Sequence, residues 1–320
     1  MDLLLNPGED QVQQAVSTLL ADTYPGDNGT PRALSPQVWS AAIDLGWLGI
    51  GLGEDAGGYG GGAVEEVLVF RELGRHCAPL EIAFAAIAAH AAARLRPDLA
   101  RGVVDGARRV GLAIRIRGSS DVLLLGPHAP DFVVRVAQNG LELQEAAAVT
   151  DLQDTSCLDP SLSARRGRLA DPPLVAEDGN AHQRAILILA AIESGVAEKA
   201  RDLACEHAKT RVQFGKAIGS FQAVRHTCAD MALRCEAANA QIHYAAAAFA
   251  GGTADGGNEV SAAVCLSGAA AMENVRDAIQ IFGAIGVTDE HLLHLLLKRA
   301  HVLDEILGGR ASRLDRMLKP

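Results

Sequence analysis

The chain has 320 residues and a formal net charge of −10, with 49% hydrophobic residues but only 4% aromatic ones. That length can bury a sizeable core and form two or three domains. The acidic balance excludes non-specific nucleic-acid binding, which needs surplus Lys and Arg to neutralise phosphates.

The N-terminus, MDLLLNPGEDQ, has no basic region and only a short apolar stretch, so it does not read as a signal peptide. From about residue 8 to 100 the pattern is helical. Ser35 before Pro36 starts one helix as cap and first-turn proline, with Trp39, Ala42, Ile43, Leu45 and Trp47 as its expected apolar face. The glycine-dense run 57–62 lacks the Lys-Ser/Thr of a phosphate loop and reads as a turn, after which AVEEVLVFRELGRH predicts an amphipathic helix closing near Gly74. The most apolar run, 80–95, contains Glu81, His90 and Arg94 and so is not a membrane span.

Between about 108 and 175 the period changes. RVGLAIRI, VLLLGP and DFVVRV are short, rich in Val, Leu and Ile, and broken by turn residues, which predicts a small β segment too short for a complete eight-stranded barrel. From about 181 onward three helices of roughly 25–30 residues and a shorter last one fit breaks at 215–220, 251–257 and 283–289. The expected fold is mostly α with a small β segment. Its parts are an N-terminal helical domain over 1–105, a reduced β domain over 106–178 and a C-terminal four-helix bundle over 179–320. The six scattered cysteines read as reduced and intracellular, and the protein as cytoplasmic. These patterns name no reaction.

Three stretches carry a resemblance. RVQFGKAIGSFQAVRHTCADM (211–231), IQIFGAIGVTDEH (279–291) and WSAAIDLGWLGIGLGEDAGGYGGGAVEEVLVFRELGRHCAPL (39–80) stand in the order and spacing of the acyl-CoA dehydrogenase family, which the chain resembles over most of its length. The resemblance implies a helix–β–helix architecture, FAD and an oligomer. It also implies that Arg211, Gln213, Phe214, Gln280, Gly283 and Ala284 contact the ADP part of an FAD held mainly by a neighbouring subunit. The residue chemistry is compatible: a guanidinium clamps a pyrophosphate in bidentate fashion, and glycines at 283 and 286 let backbone donors approach closely. The same residues also read as a solvated helix end and ordinary turn formers.

Departures from the family pattern matter as much. Its members use a carboxylate to remove the α-proton, a task suited to a Glu whose burial raises its pKa toward working pH. The stretch matching the family's Glu-Gly-Thr motif puts Leu307 at the base position, and the alternative base position, on the first helix of the C-terminal bundle, falls at about Ala185. Glu193, Asp304 and Glu305 are the nearby acids, each read as a surface or helix-pair residue. Gly309 and Ala311 replace further flavin contacts, and the flavin-binding loop and Trp-containing strand of the family's middle domain are missing.

The resemblance therefore implies a short subunit of a heteromeric (α2β2) acyl-CoA dehydrogenase of the actinobacterial steroid-CoA type. A full-length partner would supply the base and flavin pocket. Two alternatives stay open: a self-sufficient homomeric enzyme using Glu305 or Glu193, and a partner-binding scaffold without chemistry. His291 and His294, read as i,i+3 on a helix, lack a third ligand at zinc-like spacing, and no metal site is expected.

Overall fold

In the computed structural model, residues 5–318 are described except 117, 139, 170–172, 178 and 251–255. The first helix, α1 (Pro7–Thr23), is set by a capping box in which Asn6 Oδ1 accepts from the backbone of Gly8 and Glu9 while the Glu9 carboxylate accepts from Asn6 N. Helix α2 (Pro36–Asp44) begins as expected, with Ser35 Oγ accepting from Val38 N at 3.1 Å. Its expected apolar face is only partly correct. Leu45 is 57% exposed, and Trp47 lies past the helix end, buried in a short 3-10 turn. A short helix also turns the register, so a period read across both residues misassigns Leu45.

Helices α3 (Ala63–Arg75), α4 (Glu81–Ala93) and α5 (Pro97–Val104) complete the N-terminal part. Helix α4 is buried from Ile82 to Ala92. It packs against α5 and α6 on one side and strands of the sheet on the other, which explains why its sequence is apolar all round.

Seven strands follow: β1 (Val110–Arg115), β2 (Asp121–Leu125), β3 (Phe132–Val136), β4 (Leu141–Glu145), β5 (Val149–Thr155), β6 (Ala164–Leu169) and β7 (Val175–Glu177). They form one sheet in the order β5-β6-β2-β1-β3-β4-β7, antiparallel at every pairing except β1 with β3.

The C-terminal part holds α6 (Asn180–Thr210), a tight hairpin of β8 (Val212–Gln213) and β9 (Lys216–Ala217), α7 (Gln222–Ala250), α8 (Gly256–Phe282), α9 (Leu293–Ile306) and α10 (Gly309–Leu318). Helices α6, α7 and α8 pack on one another, and α9 and α10 lie against α8. The break expected at 251–257 falls mostly on residues outside those described. The single short last helix expected from the sequence is two helices, because Gly308 and Gly309 both adopt positive φ (84° and 78°) and turn the chain between α9 and α10. His291 precedes α9 and pairs with Asn28 in an isolated bridge, so it does not share a helix with His294. Among the described residues no helix is long and apolar enough to cross a membrane.

Candidate functional site

Helix α6 ends at Arg211, whose backbone is extended (φ −73°, ψ 121°) while its N–H still donates to His207 O at 2.8 Å. The hairpin then turns at Phe214 and Gly215, both at positive φ (53° and 78°), as a two-residue hairpin loop requires. This conformation is costly for a phenylalanine and holds its ring outward, 90% exposed, edge-on to Phe221 at 6.0 Å between centroids. Lys216 Nζ sits 4.4 Å from the centre of the Phe221 ring.

The second stretch lies at the same end of the bundle. His207, one turn before Arg211, stacks on Phe282 with centroids 4.0 Å apart and planes 18° apart, and Phe282 meets His291 at 4.4 Å. Burial, and then the Arg211 charge, hold the His207 pKa below its usual value, so a neutral ring occupies the stack. Gln280 is exposed on the last turn of α8, and a short 3-10 turn over 283–287 presents Gly283 (φ 68°) and Ala284 to solvent. A Cβ at Gly283 would meet nothing within 4 Å.

Arg211, Gln213, Phe214, Gln280, Gly283 and Ala284 are thus brought to one exposed end of the bundle. The Arg211 side chain is exposed just past the C-terminal end of α6. Its fork and two amide side chains are hydrogen-bond donors placed beside an open glycine turn and a projecting aromatic ring. Sequence reading missed the His207–Phe282–His291 stack that couples the two stretches. Only the one-turn spacing from Arg211 on a helix could have pointed to His207.

The two base positions lie elsewhere. Leu307 and Ala185 are both fully buried and belong to one apolar cluster with Leu303, Ile306 and Ile188. Glu193 is 1% exposed and accepts two bonds from Arg313, at 2.6 and 2.7 Å, and a third from Ser267 Oγ at 3.0 Å. Burial works against the Arg313 charge, but Glu193 and Asp304 outweigh it and raise its pKa. Glu193 therefore joins α6 to α10, and its oxygens are already committed. Glu305 is exposed on α9, at a polar cavity of about 320 Å³ between β1, β3 and the α9–α10 turn, lined also by Arg115, Gln138 and Ser312.

Residues 175–317 match the acyl-CoA dehydrogenase C-terminal domain, and residues 8–95 match the N-terminal domain. The chain is 31% identical over 306 residues to the acyl-CoA dehydrogenase IpdE2 of Mycobacterium tuberculosis, covering 95% of this chain and 90% of that protein. It is 35% identical over 313 residues to the acyl-CoA dehydrogenase FadE34 of the same organism, covering 92% of this chain but only 43% of FadE34. The chain spans less than half the length of that relative. It belongs to the acyl-CoA dehydrogenase family. Among solved structures, a chain of the ChsE4–ChsE5 complex from Mycobacterium tuberculosis superposes with a TM-score of 0.82 at 22% identity, covering 100% of this chain and 98% of that one. The Tcur3481–Tcur3483 steroid ACAD gives 0.78 at 23% identity, covering 97% and 96%. Both share the fold.

Proposed function

We propose that this chain is a subunit of a flavin-dependent acyl-CoA dehydrogenase, contributing to the FAD site of a partner subunit and carrying no catalytic base of its own. The reading rests on one contrast. The nucleotide-facing residues Arg211, Gln213, Phe214, Gln280, Gly283 and Ala284 are gathered and exposed, while Leu307 and Ala185 fill both base positions with buried hydrocarbon. A leucine and an alanine accept no proton, so on this reading the α-proton of an acyl-CoA goes to a carboxylate on the partner chain. A bound FAD would supply the acceptor for the β-hydride. Arg211 would pair with its diphosphate, and the exposed edge of Phe214 would cover the nucleotide from solvent. Three domains over 1–105, 106–178 and 179–320 fit this division of labour.

A full-length acyl-CoA dehydrogenase is the partner that this reading requires, in a hetero-oligomer. The fold shared with the ChsE4–ChsE5 complex and with a steroid ACAD supports such a partner and is compatible with a steroid side-chain CoA thioester as substrate. Co-expression with a full-length homologue is the test. The complex should be yellow and dehydrogenate acyl-CoA, and Arg211→Ala in this chain should strip flavin from it while the two chains still co-purify. Stoichiometric FAD and turnover in the lone chain would overturn the proposal. Flavin retained in full by the Arg211→Ala complex would favour a scaffold without a cofactor role.

A second reading, a homomeric enzyme with a relocated base, draws on the cavity beside Glu305. It requires Glu305→Gln to abolish turnover with flavin still bound.

A further inference from the structure

The nucleotide-facing residues belong to two separate stretches, the end of α6 with its hairpin and the end of α8, yet both stand one step from the same ring contact. His207, one turn before Arg211, stacks on Phe282 at 4.0 Å with planes 18° apart. Phe282 directly precedes Gly283 and stands two residues after Gln280. The contact therefore bears on how far Arg211 stands from the turn over 283–287.

The backbone on each side carries that spacing onward. Arg211 N donates to His207 O and Arg211 O accepts from Ile218 N, both at 2.8 Å, so the hairpin is seated on the turn that carries the His207 ring. The fit is close: a Cβ at Gly219 would stand 2.8 Å from Ala208 O. On the far side of Phe282, His291 meets its ring at 4.4 Å. His291 is held in turn by the N-terminal part. It bridges to Asn28, Leu292 N donates to Asp27 O at 2.7 Å, and Gly29 N donates to Glu290 O at 3.0 Å. Leu293 N donates to His291 Nδ1 at 3.2 Å, which sets the ring's orientation. Burial holds both imidazoles below their ordinary pKa, so uncharged rings form the stack near neutral pH. Three rings thus link the segment 27–29, the end of α8 and the end of α6.

We propose that His207 is a positioning residue for the nucleotide: its flat stack on Phe282 holds Arg211 at a set distance from Gln280 and Gly283, so that one diphosphate reaches both stretches. This role rests on the proposed flavin site and adds a residue to it. Affinity follows because donors already held in place lose less freedom when the ligand arrives. The near-parallel planes assign the work to the ring face. An aromatic ring without nitrogens should therefore serve in its place, and a branched aliphatic side chain should not, because it forfeits the ring pair.

Flavin titration of the co-expressed complex, stripped of FAD and followed by fluorescence quenching, tests this role. His207→Leu should weaken FAD about tenfold while the chains still co-purify. His207→Phe, which keeps a ring on Phe282, should restore affinity to within about twofold of the unaltered complex. In the full chain alone, hydrogen exchange at Ile218 and over 283–287 should quicken in His207→Leu and not in His207→Phe. Unchanged affinity in His207→Leu, or an equal loss in both variants, would overturn the positioning role. Faster exchange with no loss of affinity would do the same. Arg211→Ala separates this role from the site it serves. If Arg211→Ala sheds flavin and His207→Leu does not, the positioning role alone falls; if Arg211→Ala keeps its flavin, the flavin site falls and the role with it.

Discussion

His76 shows how a single side chain sets a pH dependence. It follows the end of α3, where burial, then the charges of Lys199, Arg75 and Arg32, push its pKa from 6.5 down to about 4. Glu72 Oε2 lies 3.7 Å from the ring Nε2, and Ser17 Oγ lies 3.2 Å from it. The unfolded chain therefore takes up a proton near pH 6.5 that the folded protein refuses until about pH 4. This residue's contribution is complete above pH 6.5 and is lost as pH falls through that window, by about 1–2 kcal/mol after allowance for partial solvent screening. Urea midpoints measured from pH 7 to pH 4.5 should fall, and His76→Gln should flatten part of the slope. An identical slope in the variant would assign the acid sensitivity to other groups.

At the scale of elements, what could be read from sequence follows burial. The segments RVGLAIRI, VLLLGP and DFVVRV became β1, β2 and β3 because each has a buried face of Val and Leu. Strand β5, VTDLQDT, is exposed at every residue but Val149, and β6, ARRGRL, buries only Ala164 and Gly167. Strands whose faces are largely solvated, whether at the edge (β5) or next to it (β6), carry no apolar alternation, so no period announces them. The candidate residues Arg211, Phe214 and Gln280 could be named because they sit in short motifs whose backbone is set by near neighbours, whereas the cavity beside Glu305 joins two strands and a helix turn distant in sequence. Glycines show the same limit. Gly74 reads as a helix stop, and α3 does end one residue later at Arg75, but the same glycine is also required where α6 passes over it. A Cβ there would stand 2.0 Å from Ile192 O, and at Gly195 on α6 it would stand 1.9 Å from Arg71 O. Backbone against backbone leaves no side chain to yield. Gly195→Ala should therefore cost about 3 kcal/mol, the upper part of the usual overpacking range, read as a lowered denaturant midpoint; an unchanged midpoint would mean that α3 and α6 can separate freely.

For the molecule as a whole, one buried ionic node ties its three parts together. Arg299 on α9 and Asp159, in the connection from β5 to β6, are both 0% exposed and ion-paired, and Arg299 Nη1 donates to Ala78 O in the α3–α4 turn at 2.6 Å. Burial opposes the Arg299 charge, but Asp159, with Cys77 and Glu81, more than restores it and raises its pKa. Asp159 Oδ1 also accepts from Ser161 N, and Ser161 Oγ accepts from Arg32 N, whose side chain reaches back to the carbonyls of His76 and Gly26. Helix bundle, sheet and N-terminal helices thus share one charge pair. Replacing both partners with hydrocarbon costs little in such a pair, but removing one strands the other, at about 3–5 kcal/mol. Asp159→Asn should consequently lower the melting temperature by roughly 10 °C, at about 2–4 °C per kcal/mol for a chain of this size. The substitution leaves Arg211 and Phe214 untouched, so a complex formed at low temperature should keep its flavin. A melting temperature unchanged by Asp159→Asn would show that the node holds nothing together.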